Sequence, residues 1–494
     1  MGVQPDALAI LIQSAHHLQS LGRSIEAHQA MLQAYQRVYQ ASRQSPHDIV
    51  LQDQAARLFS HQLLLQWSFA DLSTLQAQLE TYYQRHVAPL PRYFQEQSLS
   101  QRPHRQPGPL RVGFLSPDLR QCSAARLIAD VFAYAPRNLD YRIYATYPYD
   151  LSQDEAFAAL FTYMTHERGA PWHDVSSYNS KALAQHIYNH QIDILIDLAG
   201  HTSLSNLQVM ARQPAPIQVS GLTFNGGLGL GDRSLRITDA VCTPLTPETS
   251  PPQALYPHDL PLHIASWISH AEAQAYPLPP HNPTVTPSAV APHATPGYIL
   301  GCAHHPGRLS KACLTTWATL LSTLPASTEL HLKHPCYQAK EARERILDIM
   351  AKAPTSRPFN AQQIVFFEGS DYPEYLHFLD TLDLALDPFP YHGGLVSCDL
   401  LWRGIPFVTL NDWMGGGASL LKQLDAPAQN IPLTQGIAQT PEAYIERARQ
   451  WLQQSTVRAR LRQTLPAHCA TQRPGQPHRW VQDLFTALEA YIRL

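Results

Sequence analysis

The stretch LDLALDPFPYHGGLVSCDLLWRGIPFVTL, residues 382 to 410, holds residue types that together suit a phosphorylated ligand. Its apolar run Leu384 to Leu386, between Asp383 and Asp387, reads as a buried strand. A Pro- and Gly-rich loop leads from it into an apolar-patterned helix at Ser397 to Trp402. Gly393 and Gly394 let the backbone approach a ligand closely, and a helix start presents unpaired amide N–H groups and a positive dipole end at the same place. Ser397 has two uses open to it, as the cap of that helix or as a hydroxyl donor to an anion. Asp399 has the chemistry to take the two hydroxyls of a ribose, as acidic residues do beside other nucleotide loops. An ordinary strand–helix turn with a capping serine fits the same letters, because glycine pairs are common at such turns.

Holding such a loop in place takes a sheet, and the chain carries the pattern for two. In 109–270 the runs LRVGFLS (110–116), YRIYATY (141–147), IDILIDL (192–198) and IQVSGL (217–222) alternate with helical patterns such as Ser180 to His190. In 298–470 the runs YILGCA (298–303), TELHLK (328–333), IVFFE (364–368), LDLALD (382–387) and PFVTL (406–410) do the same. Strands alternating with helices predict an α/β fold of two doubly wound parallel sheets, with ligands at the carboxyl ends of the strands. Two further loops therefore become candidates, SPDLRQCS (116–123) with Asp118 and AGHTS (199–203) with His201. His201 could orient donor or acceptor, or be an ordinary loop histidine; Asp118 could be a base or acceptor contact, or a turn-capping aspartate after Ser-Pro.

Residues 1–100 are helical in pattern: Leu8, Leu11, Ile12, Ala15 and Leu18 share a face, Gly22 stops the first helix, and Ala27, Met31, Ala34 and Val38 resume the period. This hairpin resembles one tetratricopeptide repeat, and the segments His47 to Trp67 and Asp71 to Val87 extend it into a helical domain, read as a structural cap. The Pro-rich stretch 271–297 reads as a linker. At the other end, 471–494 closes with an amphipathic helix whose Trp480, Leu484, Leu488 and Tyr491 should face inward.

A net charge of -3 gives no broad basic surface for nucleic acid. The 7 cysteines contain no C-x-x-C pair, which fits a reduced, cytoplasmic setting, and no run reaches the roughly 18 apolar residues of a membrane span. The 25 histidines are scattered and no pair stands at a metal spacing with Cys or carboxylate companions, so no metal site is expected; His304 and His305 read as solvent-exposed bystanders, and Cys122 as a small buried residue.

Five stretches in order carry a family resemblance: LRVGFLSPDLR (110–120), IDILIDLAGHT (192–202), RQPAPIQVSGLTFNGG (212–227), RITDAVCTP (236–244) and LDPFPYHGG…CDLLWRGIPFVTL (386–410). Together they resemble the catalytic region of the O-GlcNAc transferase (SPINDLY-like) family, glycosyltransferase family 41, over about residues 110 to 465. The resemblance implies a GT-B glycosyltransferase: metal-independent, inverting transfer of GlcNAc or glucose from UDP-GlcNAc or UDP-glucose to a protein acceptor, with no cofactor beyond the donor. It also implies an acceptor-side first sheet domain, a nucleotide-sugar-binding second one, and tetratricopeptide-like helices in front. By the same comparison His392, Gly393, Gly394 and Ser397 match the diphosphate loop and Asp399 the ribose aspartate. Arg308 stands at the diphosphate lysine, Tyr375 where a ring stacks on uracil, and Gln218 along the cleft. The chain departs from the family pattern at Cys122 (or its neighbours), where the family has a histidine, and at Leu395 and Val396, where it has two threonines. The segment 413–421 also lacks the family's arginine. A catalytically degenerate, partner-recruiting protein is the other reading these departures allow.

Overall fold

The computed structural model describes residues 5–101, 108–119, 131–148, 158, 161–202, 204–220, 228–237, 254–255, 297–369, 371–411, 416–472 and 476–493. The linker stretch up to 296, Cys122 with most of its loop, and residues 412–415 lie outside them. The first sheet comprises β1 (Arg111–Ser116), β2 (Asp140–Ala145), β3 (Trp172–Asp174), β4 (Ile194–Asp197), β5 (Ile217–Ser220), β6 (Leu235–Ile237) and β7 (Ala254–Leu255). The second comprises β8 (Ile299–Cys302), β9 (Glu329–Lys333), β10 (Ile364–Phe367), β11 (Leu384–Leu386), β12 (Phe407–Leu410) and β13 (Ile437–Ala438).

Their orders are β3-β2-β1-β4-β5-β6-β7 and β10-β9-β8-β11-β12-β13, and the pairings are parallel. Each order reverses direction once, between β1 and β4 and between β8 and β11, and those two switch points are where open sheets of this kind leave a crevice at their carboxyl edge. Sequence alternation missed β3, β6, β7 and β13, which span only two or three residues each. The central strands read more easily: β4 and β11 are buried along their whole length, as strands covered on both faces must be.

The N-terminal helices are α1 (Pro5–Ser20), α2 (Ser24–Gln44), α3 (Ile49–Gln66) and α4 (Leu72–Tyr82). Gly22 turns α1 into α2 at φ +76°, a conformation that strains any residue with a Cβ. The apolar faces of α2, α3 and α4 join Leu115, Tyr144, Leu183 and Ile187 of the first sheet layer in one core. A layer covered on two sides buries polar side chains as well, among them Asp53, Ser60 and His61 of α3. The Asp53 carboxylate accepts from Ser180 N at 2.7 Å and from its hydroxyl at 2.5 Å, tying α3 to the start of helix Ser180–Asn189. The same layer reaches the second sheet: Leu21 sits in its core, and the buried Ser24 hydroxyl donates to the Gly307 carbonyl at 2.8 Å.

The final helix, Pro477–Arg493, buries Trp480, Leu484 and Leu488 against the first sheet with Val112 and Phe114, while Tyr491 is partly buried and donates to the Gln97 carbonyl. Among the described residues no helix is long and apolar enough to cross a membrane.

Candidate functional site

At the carboxyl end of β11 the chain turns through Asp387 to Gly394 into helix Leu395–Trp402, two residues earlier than the sequence pattern placed its start. Among the described residues six other α-helices carry a side-chain cap, from Asp48, Asp71, Asn179, Ser310, Asp371 and Thr440. This one has Gly394 at its N-cap and no side-chain cap. Its first amides are therefore left for a ligand or water, and its dipole favours an anion there. Ser397 is consequently not the cap; it lies in the first turn, with its hydroxyl buried and without a hydrogen-bond partner among the described residues.

Asp387 organises the turn. Its buried carboxylate accepts from Gly393 N at 2.8 Å, from the Thr409 hydroxyl at 2.8 Å and from His392 Nδ1 at 3.1 Å. His304 Nε2 lies 3.9 Å away. Burial acts to raise its pKa, but the His392 bond and charge, with His304 and Thr409, outweigh burial and hold it below the ordinary aspartate value. Gly393 leaves no room for a side chain: a Cβ there would stand 2.5 Å from His304 Nε2, 2.5 Å from Ser397 Oγ and 2.8 Å from Asp387 Oδ1. Gly393→Ala should therefore destabilise the chain by about 1–3 kcal/mol through overpacking. It should also weaken nucleotide binding, with urea midpoints and calorimetry as the measurements; unchanged values in both would show the turn to be more pliant than drawn.

From the neighbouring β8, Arg308 reaches across the switch point. Its guanidinium donates to the His392 carbonyl and lies over the Tyr391 ring, 3.9 Å from the centroid. Further along helix Leu395–Trp402, Asp399 accepts from the Tyr375 hydroxyl at 2.8 Å. Arg308, Tyr375, His392, Gly393, Gly394, Ser397 and Asp399 thus gather at one edge of one sheet.

His201 and Gln218 are placed elsewhere. His201 is 0 % exposed, with Nδ1 3.0 Å from Ser60 Oγ, Nε2 2.9 Å from the Leu228 carbonyl and its ring edge-on to Tyr82. Both ring nitrogens are engaged in the seam between helical layer and sheet, so the expectation that it handles substrate is corrected to a structural role. Gln218 is likewise buried, its amide donating to the Met210 and Arg233 carbonyls at 2.7 Å each, and does not line an open cleft. Asp118 stays at the carboxyl edge of β1, half-buried, with its backbone N–H bonded to Ser116 Oγ at 3.0 Å. It is near enough to the buried Asp197 to oppose that group's ionisation.

The expectation of exposure at His304 and His305 is also overturned. His304 is 5 % exposed, against Cys302 Sγ at 3.3 Å and the Asp387 carboxylate, and burial pushes its pKa down to about 3. His305 accepts from Gly307 N at 2.9 Å and is also pushed down to about 3 by burial. Sequence reading missed Asp387, Thr409 and the buried Lys333 at the end of β9. For Asp387 and Lys333 the available signal was a polar residue ending an apolar strand at the ligand-bearing edge.

Comparison with known proteins bears on this geometry. Residues 91–254 match the model of glycosyl transferase family 41. A tomato protein described as a probable UDP-N-acetylglucosamine–peptide N-acetylglucosaminyltransferase SPINDLY is 26% identical over 367 residues, covering 72% of this chain and 36% of its own length. The similarly described Arabidopsis SEC protein is 27% identical over 302 residues, covering 61% of this chain and 29% of its own. The chain thus spans about a third of the length of these curated relatives. Among solved structures, a mutant of the Thermobaculum terrenum O-GlcNAc transferase superposes with a TM-score of 0.67 at 19% identity, over 99% of this chain and 100% of that one. The fold is accordingly the GT-B arrangement with a helical domain in front.

Proposed function

Because this chain carries a glycosyltransferase family 41 region of the O-GlcNAc transferase type, we propose that it transfers a sugar, GlcNAc or glucose, from a UDP-sugar to a protein side chain, with inversion and without a metal ion at the reacting bond. The observation that carries the reading is the uncapped start of helix Leu395–Trp402, set beside Arg308 at the switch point of the second sheet. Breaking the sugar–phosphate bond builds negative charge on the departing diphosphate. Backbone amides at a helix start, a guanidinium and the Ser397 hydroxyl are preorganised donors for that charge. Asp399, held by Tyr375, would take the ribose hydroxyls. Asp118, on the edge of the other sheet, is the carboxylate offered for the acceptor's proton.

Titration of UDP into the wild type should give saturable heat, and Asp399→Ala and Arg308→Ala should each weaken binding roughly 10- to 100-fold, the loss of one or two charge-assisted hydrogen bonds. Absence of binding in the wild type, or full affinity in both variants, would sink the proposal. The apolar side chains of Leu395 and Val396 at the diphosphate turn favour a second reading, a protein that keeps nucleotide binding but recruits partners through its helices. Intact-mass measurement of a co-expressed acceptor separates the two: a sugar-sized increment supports transfer, and UDP binding without any increment supports recruitment.

A further inference from the structure

We propose that His173, His186 and His190 form a binding site for a late first-row divalent cation, with zinc as its probe, at the edge of the first sheet. His173 is the middle residue of β3, the edge strand, and His186 and His190 lie four apart on helix Ser180–Asn189 and its C-cap, so they share one face of it. The ring centroids are 4.2 Å apart for His186 and His190, 4.7 Å for His173 and His190, and 5.5 Å for His173 and His186. One nitrogen from each ring falls within 4.8 Å of the other two. Zn–N bonds of about 2.0–2.1 Å in a tetrahedron put nitrogens roughly 3.3 Å apart, so closing on an ion takes about 1.5 Å of ring movement, within reach of small χ adjustments.

Two observations besides proximity point to a ligand. His173 Nε2 is buried and has no hydrogen-bond partner among the described residues, so one ring nitrogen is unsatisfied. His190 Nδ1 lies 2.8 Å from the Tyr144 hydroxyl, an outer contact that leaves Nε2 for the ion when the hydroxyl accepts from Nδ1–H. The facing cation, Arg142, works against a second positive charge, but it is paired with the Asp140 carboxylate. Three imidazoles with a fourth position for water suit zinc, copper or nickel and not magnesium or calcium.

Residues 174–185 run between the first two ligands, and Val175, Ser176, Tyr178, Ser180 and Leu183 of that segment line a polar cavity of about 20 Å³ against Asp53. A bound ion would staple the edge strand to the helix and fix that wall. The site stands on the first sheet, apart from the nucleotide loop of the second, and so needs no role at the reacting bond.

The test uses the full chain stripped with a chelator and titrated with zinc sulfate alone, followed by elemental analysis. One zinc per chain is expected, with His186→Gln, His190→Gln and the double variant weakened at least 100-fold, and the exposed His17→Gln unchanged. Zinc should raise the thermal midpoint of the wild type by several degrees and leave the double variant where it was. Should the variants not fold, wild-type protein modified with diethyl pyrocarbonate answers the question: zinc should protect His173, His186 and His190, read by peptide mass. Wild-type-like zinc uptake by the folded double variant, or equal modification with and without zinc, would overturn the site.

Discussion

Taking the chain from pH 7 to pH 5 should lower its unfolding free energy by several kcal/mol, a large part of the roughly 5–15 kcal/mol a folded protein has. Four deeply buried histidines carry most of this, and His190, His305 and His334, also depressed by burial, add in the same sense. Burial pushes His61 and His201 down to about 4 and His86 and His304 down to about 3, whereas in the unfolded chain each titrates near 6.5. Their depressed pKa values make the neutral fold most favoured above 6.5. As pH falls through the window from 6.5 toward 3–4 the unfolded chain binds protons that the folded chain refuses, and stability drops. Each such group loses roughly 2 kcal/mol by pH 5. Asp53 and Asp197 act in the opposite sense, because burial raises their pKa values and the fold takes up protons there before the unfolded chain does. Two carboxylates offset part of what four histidines lose. Urea midpoints at pH 7.5 and pH 5.0 measure the balance, and equal midpoints would refute it.

The second large effect is expected at Asp387→Asn. The carboxylate accepts three hydrogen bonds, from Gly393 N, Thr409 Oγ1 and His392 Nδ1. An amide of the same shape must turn a donor toward at least one of those donors. Leaving such a buried ionic network half-satisfied costs about 3–5 kcal/mol. The turn that aims Gly393 and the first amides of helix Leu395–Trp402 would lose its anchor, so UDP affinity should fall more than about 100-fold, the equivalent of some 3 kcal/mol. Its pH signature distinguishes it from the histidines. Asp387 is depressed from 3.8, so its contribution is complete above that value and disappears only as pH falls through its lower folded pKa. The variant should therefore be weaker than wild type at every pH from 5 to 7.5. A variant as stable as wild type in urea, with UDP bound as tightly, would remove Asp387 from the site.

Much of the site was legible because it depends on local order. Strand, glycine turn and helix follow one another between 382 and 402, and placing them at the carboxyl edge needs only the rule for doubly wound sheets. Arg308 and Asp399 came together although they are far apart in the chain, because the switch between β8 and β11 makes their loops neighbours; Tyr375 joins them from helix Tyr372–Asp380, which leads from β10 into β11. His201 was misread for the converse reason. The turn after β4 lies at the right edge, but its ring points to Ser60, a residue 141 positions away on a helix whose docking no local pattern encodes. Gln218 shows the same limit: it stands in a strand at the expected place, yet its amide is claimed by carbonyls of the chain beside it. The histidine trio escaped notice because His186 and His190 had the spacing of ligands, but the third member arrives from an edge strand of three residues.

The helical layer grips both halves of the molecule. α1 and the start of α2 hold the loop before Arg308 through Leu21 and Ser24, while α3 holds helix Ser180–Asn189 through Asp53, and α2 and α3 pack along their lengths. Mechanically this is a strut. Any swing of one sheet away from the other would have to break a buried hydroxyl–carbonyl bond at one end or a buried carboxylate clamp at the other. The helical layer therefore opposes any change in the spacing of the two sheets.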